Sequence, residues 1–81
     1  MSEIPLNERV AVYLRTGQII GGYVIERSRD WVRLKDAFDI HEEKVAGPLG
    51  AIYGKGIARG RIEIPFSNVS HWVTLTDIGL K

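Results

Sequence analysis

No cysteine occurs in the chain, which excludes both a disulfide framework and a thiolate-ligated metal. Nor is there an apolar run near the roughly 20 residues that a membrane-crossing helix needs. Net charge is only +1, so there is no strong global attraction to nucleic acid, and any such contact must rest on local clusters. Residues 1–9, MSEIPLNER, are polar and carry two glutamates, unlike a secretory signal. The expectation is a soluble, cytoplasmic protein with no membrane partner. A length of 81 residues allows one domain, 1–81. A chain of this size buries only about 60% of its unfolded surface, and oligomerisation is one way to add burial.

What is present is β patterning. Val10, Val12 and Leu14 alternate with Ala11, Tyr13 and Arg15, the period of a half-buried strand. Thr16-Gly17 breaks the run at a hairpin tip. A second strand runs from Gln18 to Glu26 with Ile20, Gly22 and Val24 in phase. Arg27-Ser28-Arg29-Asp30 makes the next turn, and Trp31–Lys35 the third strand, with Val32 and Leu34 on one face. Gly21-Gly22 lies mid-strand, where glycine marks a bend or a close backbone approach. The meander therefore reads as the first half of a small, sharply bent antiparallel barrel.

Residues 1–8 read as a tail or short cap. From about residue 39 to residue 60 the alternation dissolves among glycines. This predicts a long loop, with room for strand extensions near Asp39-Ile40 and near Ile57. Its Val45, Leu49, Ile52 and Tyr53 suggest packing against something, such as a neighbouring subunit. Arg61–Pro65 is the fourth strand, Phe66-Ser67-Asn68 a tight turn, and Val69–Leu75 the fifth strand. Residues 76–81 are a tail.

Catalytic chemistry finds little support. Gly50–Gly56 has three residues between its first glycine pair, and glycine instead of Ser or Thr follows Lys55, so it is not a phosphate-binding loop. His41, Glu42, Glu43 and His71 lack the spacing of a metal site. No catalytic residue, metal or cofactor is expected. The arginine–aromatic grouping is more informative: Arg27, Arg29 and Arg33 surround Trp31, and Phe66 lies beside Ser67 and Asn68 in the second tight turn. Basic groups for phosphates and aromatics for bases are what single-stranded nucleic-acid sites use.

Val10-x-Val12-x-Leu14-x-x-Gly17-x-x-Ile20-x-Gly22-x-Val24, continuing to Leu34, resembles the first motif of the Sm-like proteins. That family includes the eukaryotic Sm and Sm-like (LSm) proteins and the bacterial RNA chaperone Hfq. Val69–Val73 resembles the end of the second motif in its bacterial form. Arg59-Gly60 is similar to the Arg-Gly of the eukaryotic and archaeal form, but precedes the fourth strand. The resemblance covers about residues 8–37 and 61–75. It implies an all-β, five-stranded, strongly bent antiparallel SH3-like barrel that assembles into a homo-oligomeric ring of about five to seven subunits. Pairing of the fourth strand with the next subunit's fifth would place Ile62, Ile64, Val69, His71 and Val73 at the interface.

The resemblance also implies binding of single-stranded RNA, uridine- or adenine-rich, at the two turns. Arg29 and Trp31 would contact phosphate and base, helped by Ser28, Phe66, Ser67 and Asn68, with Arg27 and Arg33 supplying local field. The chain departs from the family at this point. Ser28 stands where Asp is usual, Asp30-Trp31 where Met-Asn or a stacking aromatic falls, and Phe66-Ser67 where Lys-His or Arg-Gly falls. A ring that serves as a structural or protein-interaction scaffold, its RNA site decayed, is the alternative.

Overall fold

In the computed structural model, which describes residues 4–44 and 51–75, the alternating segments are strands. β1 spans Arg9–Leu14, β2 Ile19–Arg27, β3 Trp31–Lys44, β4 Ala51–Pro65 and β5 Val69–Thr74. A 3₁₀ turn, η1, covers Phe66–Asn68 between β4 and β5. The five strands form one antiparallel sheet in the order β4-β3-β2-β1-β5. The fold is thus all-β, and the sheet is not closed: β4 and β5 are its two edges. Among the described residues no helix is long and apolar enough to cross a membrane.

The alternation places Val10 and Val12 of β1, Ile20 and Val24 of β2, Val32 and Leu34 of β3, Ile64 of β4 and Val69 of β5 in one buried cluster. Each such side chain contributes about 1.5–3 kcal/mol when removed from water. Ile4, only 1% exposed, joins this cluster from the amino-terminal segment. Asn7 donates its amide to the Val24 carbonyl at 2.8 Å, and Glu8 accepts from the Val24 amide at 3.0 Å. The described part of residues 1–8 is therefore a cap on the core.

A second cluster lies on the other face of the sheet, built on Ala11, Phe38 and Ile40 with Tyr13, Ile19, Val73 and Leu75 against it. The switch between faces occurs in β3. Pairing with β4 shifts between Leu34 and Ala37, where Asp36 takes φ 51°. The extra residue reverses the parity, so Val32, Leu34 and Ala37 reach the first cluster and Phe38 and Ile40 the second. Gly21 and Gly22 make room for this bend. A Cβ at Gly21 would come within 2.7 Å of the Phe38 ring, and one at Gly22 within 3.0 Å of Leu34 Cβ.

The long loop expected over residues 39–60 is not what forms. β3 continues to Lys44 and β4 begins at Ala51, with Ile40 opposite Lys55 and Lys44 opposite Ala51. The glycines that suggested a loop serve as small strand residues: Gly54 and Gly56 pack against the side chains of His41 and Asp39, which larger residues would displace. β2 pairs with β3 only as far as Ile40. Beyond it, among the described residues, β3 and β4 pair only with each other and form an arm, consistent with the 41 Å long axis of the molecule. Val45 and Leu49 lie outside the described residues, as do the side chains of Ile52 and Tyr53 and the tail at 76–81.

Candidate functional site

η1 is made where Pro65 ends β4 with its φ near −65°. The Phe66 carbonyl then accepts the Val69 amide, closing the turn. Two other chain reversals hold it in place. From the β2–β3 turn, the Asp30 carbonyl accepts the Phe66 amide at 2.8 Å. From the β1–β2 tip, Arg15 donates its backbone amide to the Asn68 carbonyl at 2.8 Å and its Nε–H to the Ser67 carbonyl at 3.0 Å. The two turns singled out in the sequence are thus adjacent, and η1 links them to a third reversal, the β1–β2 tip.

The β2–β3 turn is ordered by Ser28. Its Oγ accepts from the amides of Asp30, at 3.1 Å, and Trp31, at 3.3 Å, while its own amide donates to the Trp31 carbonyl at 2.8 Å. An aspartate in this position would accept the same bonds, so Ser28 preserves the turn without its charge. Arg29 projects from the tip, exposed.

Trp31 is half-buried. The Arg33 guanidinium lies 4.7 Å from the centre of its ring, a cation–π distance. Arg33 also donates to Glu63 at 2.7 Å and to Glu26. These hydrogen bonds and charges hold the Arg33 pKa above its ordinary value, the bond to Glu63 being the largest cause. One side of the Trp31 ring is therefore covered by a cation that carboxylates already neutralise. Arg61 lies near, lining a shallow hollow with Arg33, Ile62 and Glu63.

The remaining expected contacts divide sharply. Ser67 and Asn68 are exposed, whereas Phe66 packs against the first core cluster. Arg27 donates to the Ile4 carbonyl and so anchors the amino-terminal cap. Its charge, like that of Arg33, has an internal partner. Ile62, Ile64 and Val69 direct their side chains to the core, so β4 and β5 offer a neighbour chiefly their backbone edges. His71 stacks on Tyr13 with ring centres 4.3 Å apart, and Val73 belongs to the second cluster. Among the described residues no group of three His, Cys, Asp or Glu is placed to hold a metal ion.

Sequence reasoning missed Arg15. It stands at the end of a strand beside a glycine-containing tip, where a basic residue is unremarkable. Only the β1–β5 pairing, with Leu14 opposite Val69, carries it to η1. Asp39 entered the sequence reading only as part of a possible strand extension, and Arg59 only through its Arg-Gly resemblance, so their pairing was not foreseen. Arg59 donates Nε–H and Nη2–H to the two Asp39 oxygens at 2.6 and 2.9 Å. That hydrogen bonding, followed by the Coulombic attraction of Arg59 and a bond from Gln18, holds the Asp39 carboxyl below its ordinary pKa. Comparison of the chain with protein-family models, with curated proteins and with solved structures finds no match.

Proposed function

We propose that this chain is a non-catalytic, cytoplasmic Sm-like protein that acts as a homo-oligomeric ring on single-stranded RNA. The observation that carries the reading is the junction of the β2–β3 turn with η1, where the Asp30 carbonyl meets the Phe66 amide. It brings the turn that carries Arg29 and Trp31 against the one that carries Ser67 and Asn68, the two turns at which the Sm-like reading expects RNA. The ring reading is supported by the strand order, which leaves β4 and β5 as unpaired edges. Exposed edges invite pairing with another chain, and a head-to-tail contact of one edge with the other must close or form a filament. The scaffold reading draws support from one specific feature: Arg33 covers Trp31 and is neutralised by Glu26 and Glu63.

The test is direct. The purified protein is weighed in native solution, its nucleic-acid absorbance ratio recorded, and its binding to short uridine- and adenine-rich RNA measured. A discrete oligomer that binds either RNA is the expected result. An intact oligomer that binds neither better than a neutral protein does selects the scaffold.

A further inference from the structure

The arginines of this chain are not equivalent. Arg27 is tied to the Ile4 carbonyl, Arg33 to Glu26 and Glu63, and Arg59 to Asp39. Arg15 and Arg29 are exposed, and among the described residues neither has a carboxylate in an ion pair. Arg15 binds η1 directly, at the Ser67 and Asn68 carbonyls, whereas Arg29 precedes Asp30, whose carbonyl holds the Phe66 amide at the other end of η1. Asp30 is the sequence neighbour of Arg29, whereas residues 14–20 and 65–74 contain no acid at all. The Arg15 side of η1 is the one less opposed to a negative charge.

We propose that Arg15 is a second phosphate-binding residue of this end, seating a backbone phosphate of single-stranded RNA across η1 from Arg29. The proposal rests on the RNA-binding reading above. Its physical basis is preorganisation. A guanidinium has five N–H donors in a rigid plane, and Arg15 gives the Nε–H to Ser67. Arg15 is exposed, and this bond orients the guanidinium plane while leaving the donors on its two Nη atoms to a ligand. The backbone bond from Arg15 to Asn68 fixes where that plane stands. RNA following η1 would meet one cation on each side, with Ser67 and Asn68 between them as polar contacts. The minimal ligand would therefore carry more than one phosphate.

The experiment uses the full chain, a fluorescent short oligouridylate and a salt titration. Arg15→Gln is expected to weaken binding about tenfold, the range of a charge-assisted bond. It should also reduce the salt slope by about 0.7, the single-strand value per phosphate contact. Thr16→Asp keeps Arg15 and its bonds to η1 while adding a negative charge at the tip, and it should weaken binding as well. It decides the matter if Arg15→Gln proves unfolded. Weaker binding by Arg15→Gln at an unchanged slope, or binding by Thr16→Asp equal to that of the unsubstituted chain, overturns the proposal and leaves the RNA reading intact. Failure of the unsubstituted chain to bind at any salt concentration overturns both.

Discussion

At the scale of single residues, Gly21 carries the bend. The Phe38 ring and Ile40 occupy the space that a Cβ would need, at 2.7 and 2.9 Å. Both belong to the second buried cluster and cannot swing into solvent without exposing it. Gly21→Ala should therefore lower stability by about 1–3 kcal/mol, the range for overpacking a filled site, measured as a shifted urea midpoint at constant slope. An unchanged midpoint would mean that the ring has free space beside it. Trp31 makes a different demand. If bases stack there, Trp31→Ala should remove about 1–3 kcal/mol of binding per base with little change in salt slope, because the ring bears no charge. Asp39 sets a pH dependence. Its folded pKa is depressed, chiefly by the bond from Arg59, so the stabilisation is complete above the ordinary carboxylate value of about 3.9 and is lost as pH falls through the lower folded value. Asp39→Asn should flatten the acid limb of the unfolding curve below that value. Parallel acid limbs for the two proteins would show that the pair adds nothing.

At the scale of elements, the arm formed by the ends of β3 and β4 is separable from the rest of the sheet. Among the described residues, residues 41–44 of β3 pair with β4 alone, and a lone two-stranded ribbon is at best marginally stable. Replacing residues 42–53 by a short glycine-containing turn should leave the cooperative unfolding transition in place, since closure entropy changes slowly with loop length. Loss of that transition would place the arm in the folding unit. This arm is also where the sequence was least legible. The strands read from strict alternation, at Val10–Leu14, Ile20–Val24 and Val32–Leu34, form as expected because one face is buried along their whole length. Just before the arm, the pairing register of β3 with β4 slips three times between Leu34 and Ile40. Each slip exchanges the faces, and period-two alternation cannot survive it. The candidate site was legible in part for a related reason. Turn residues such as Ser28 and Asn68 announce themselves locally. Arg15 meets η1 through a pairing that spans most of the chain, and Arg33 meets Glu63 from the neighbouring strand; neither partner can be read from local spacing.

For the whole molecule, the question is what covers the two edges. β4 is 15 residues long and β5 six, so an edge-to-edge contact can extend over the length of β5 at most. Proline substitutions separate the sheet's own ladder from that contact. Ile64 lies opposite Val32 and is buried in the core, so Ile64→Pro should damage folding itself. Ser70 is exposed and falls at the register shift between the Leu14–Val69 and Tyr13–His71 pairs, with no partner of its own in β1. The sheet should tolerate a proline there more readily, as bulges do. An assembly built on the β5 edge should not, because proline removes a donor and adds bulk on the side a neighbour must approach. The expected outcome for Ser70→Pro is a folded chain with the mass of a monomer, or of a much weakened oligomer. Native mass and the thermal unfolding transition, recorded on the same sample, check both halves. A Ser70→Pro protein that keeps the full oligomer mass would move the interface away from β5, and one that is unfolded would return Ser70 to the sheet's own ladder.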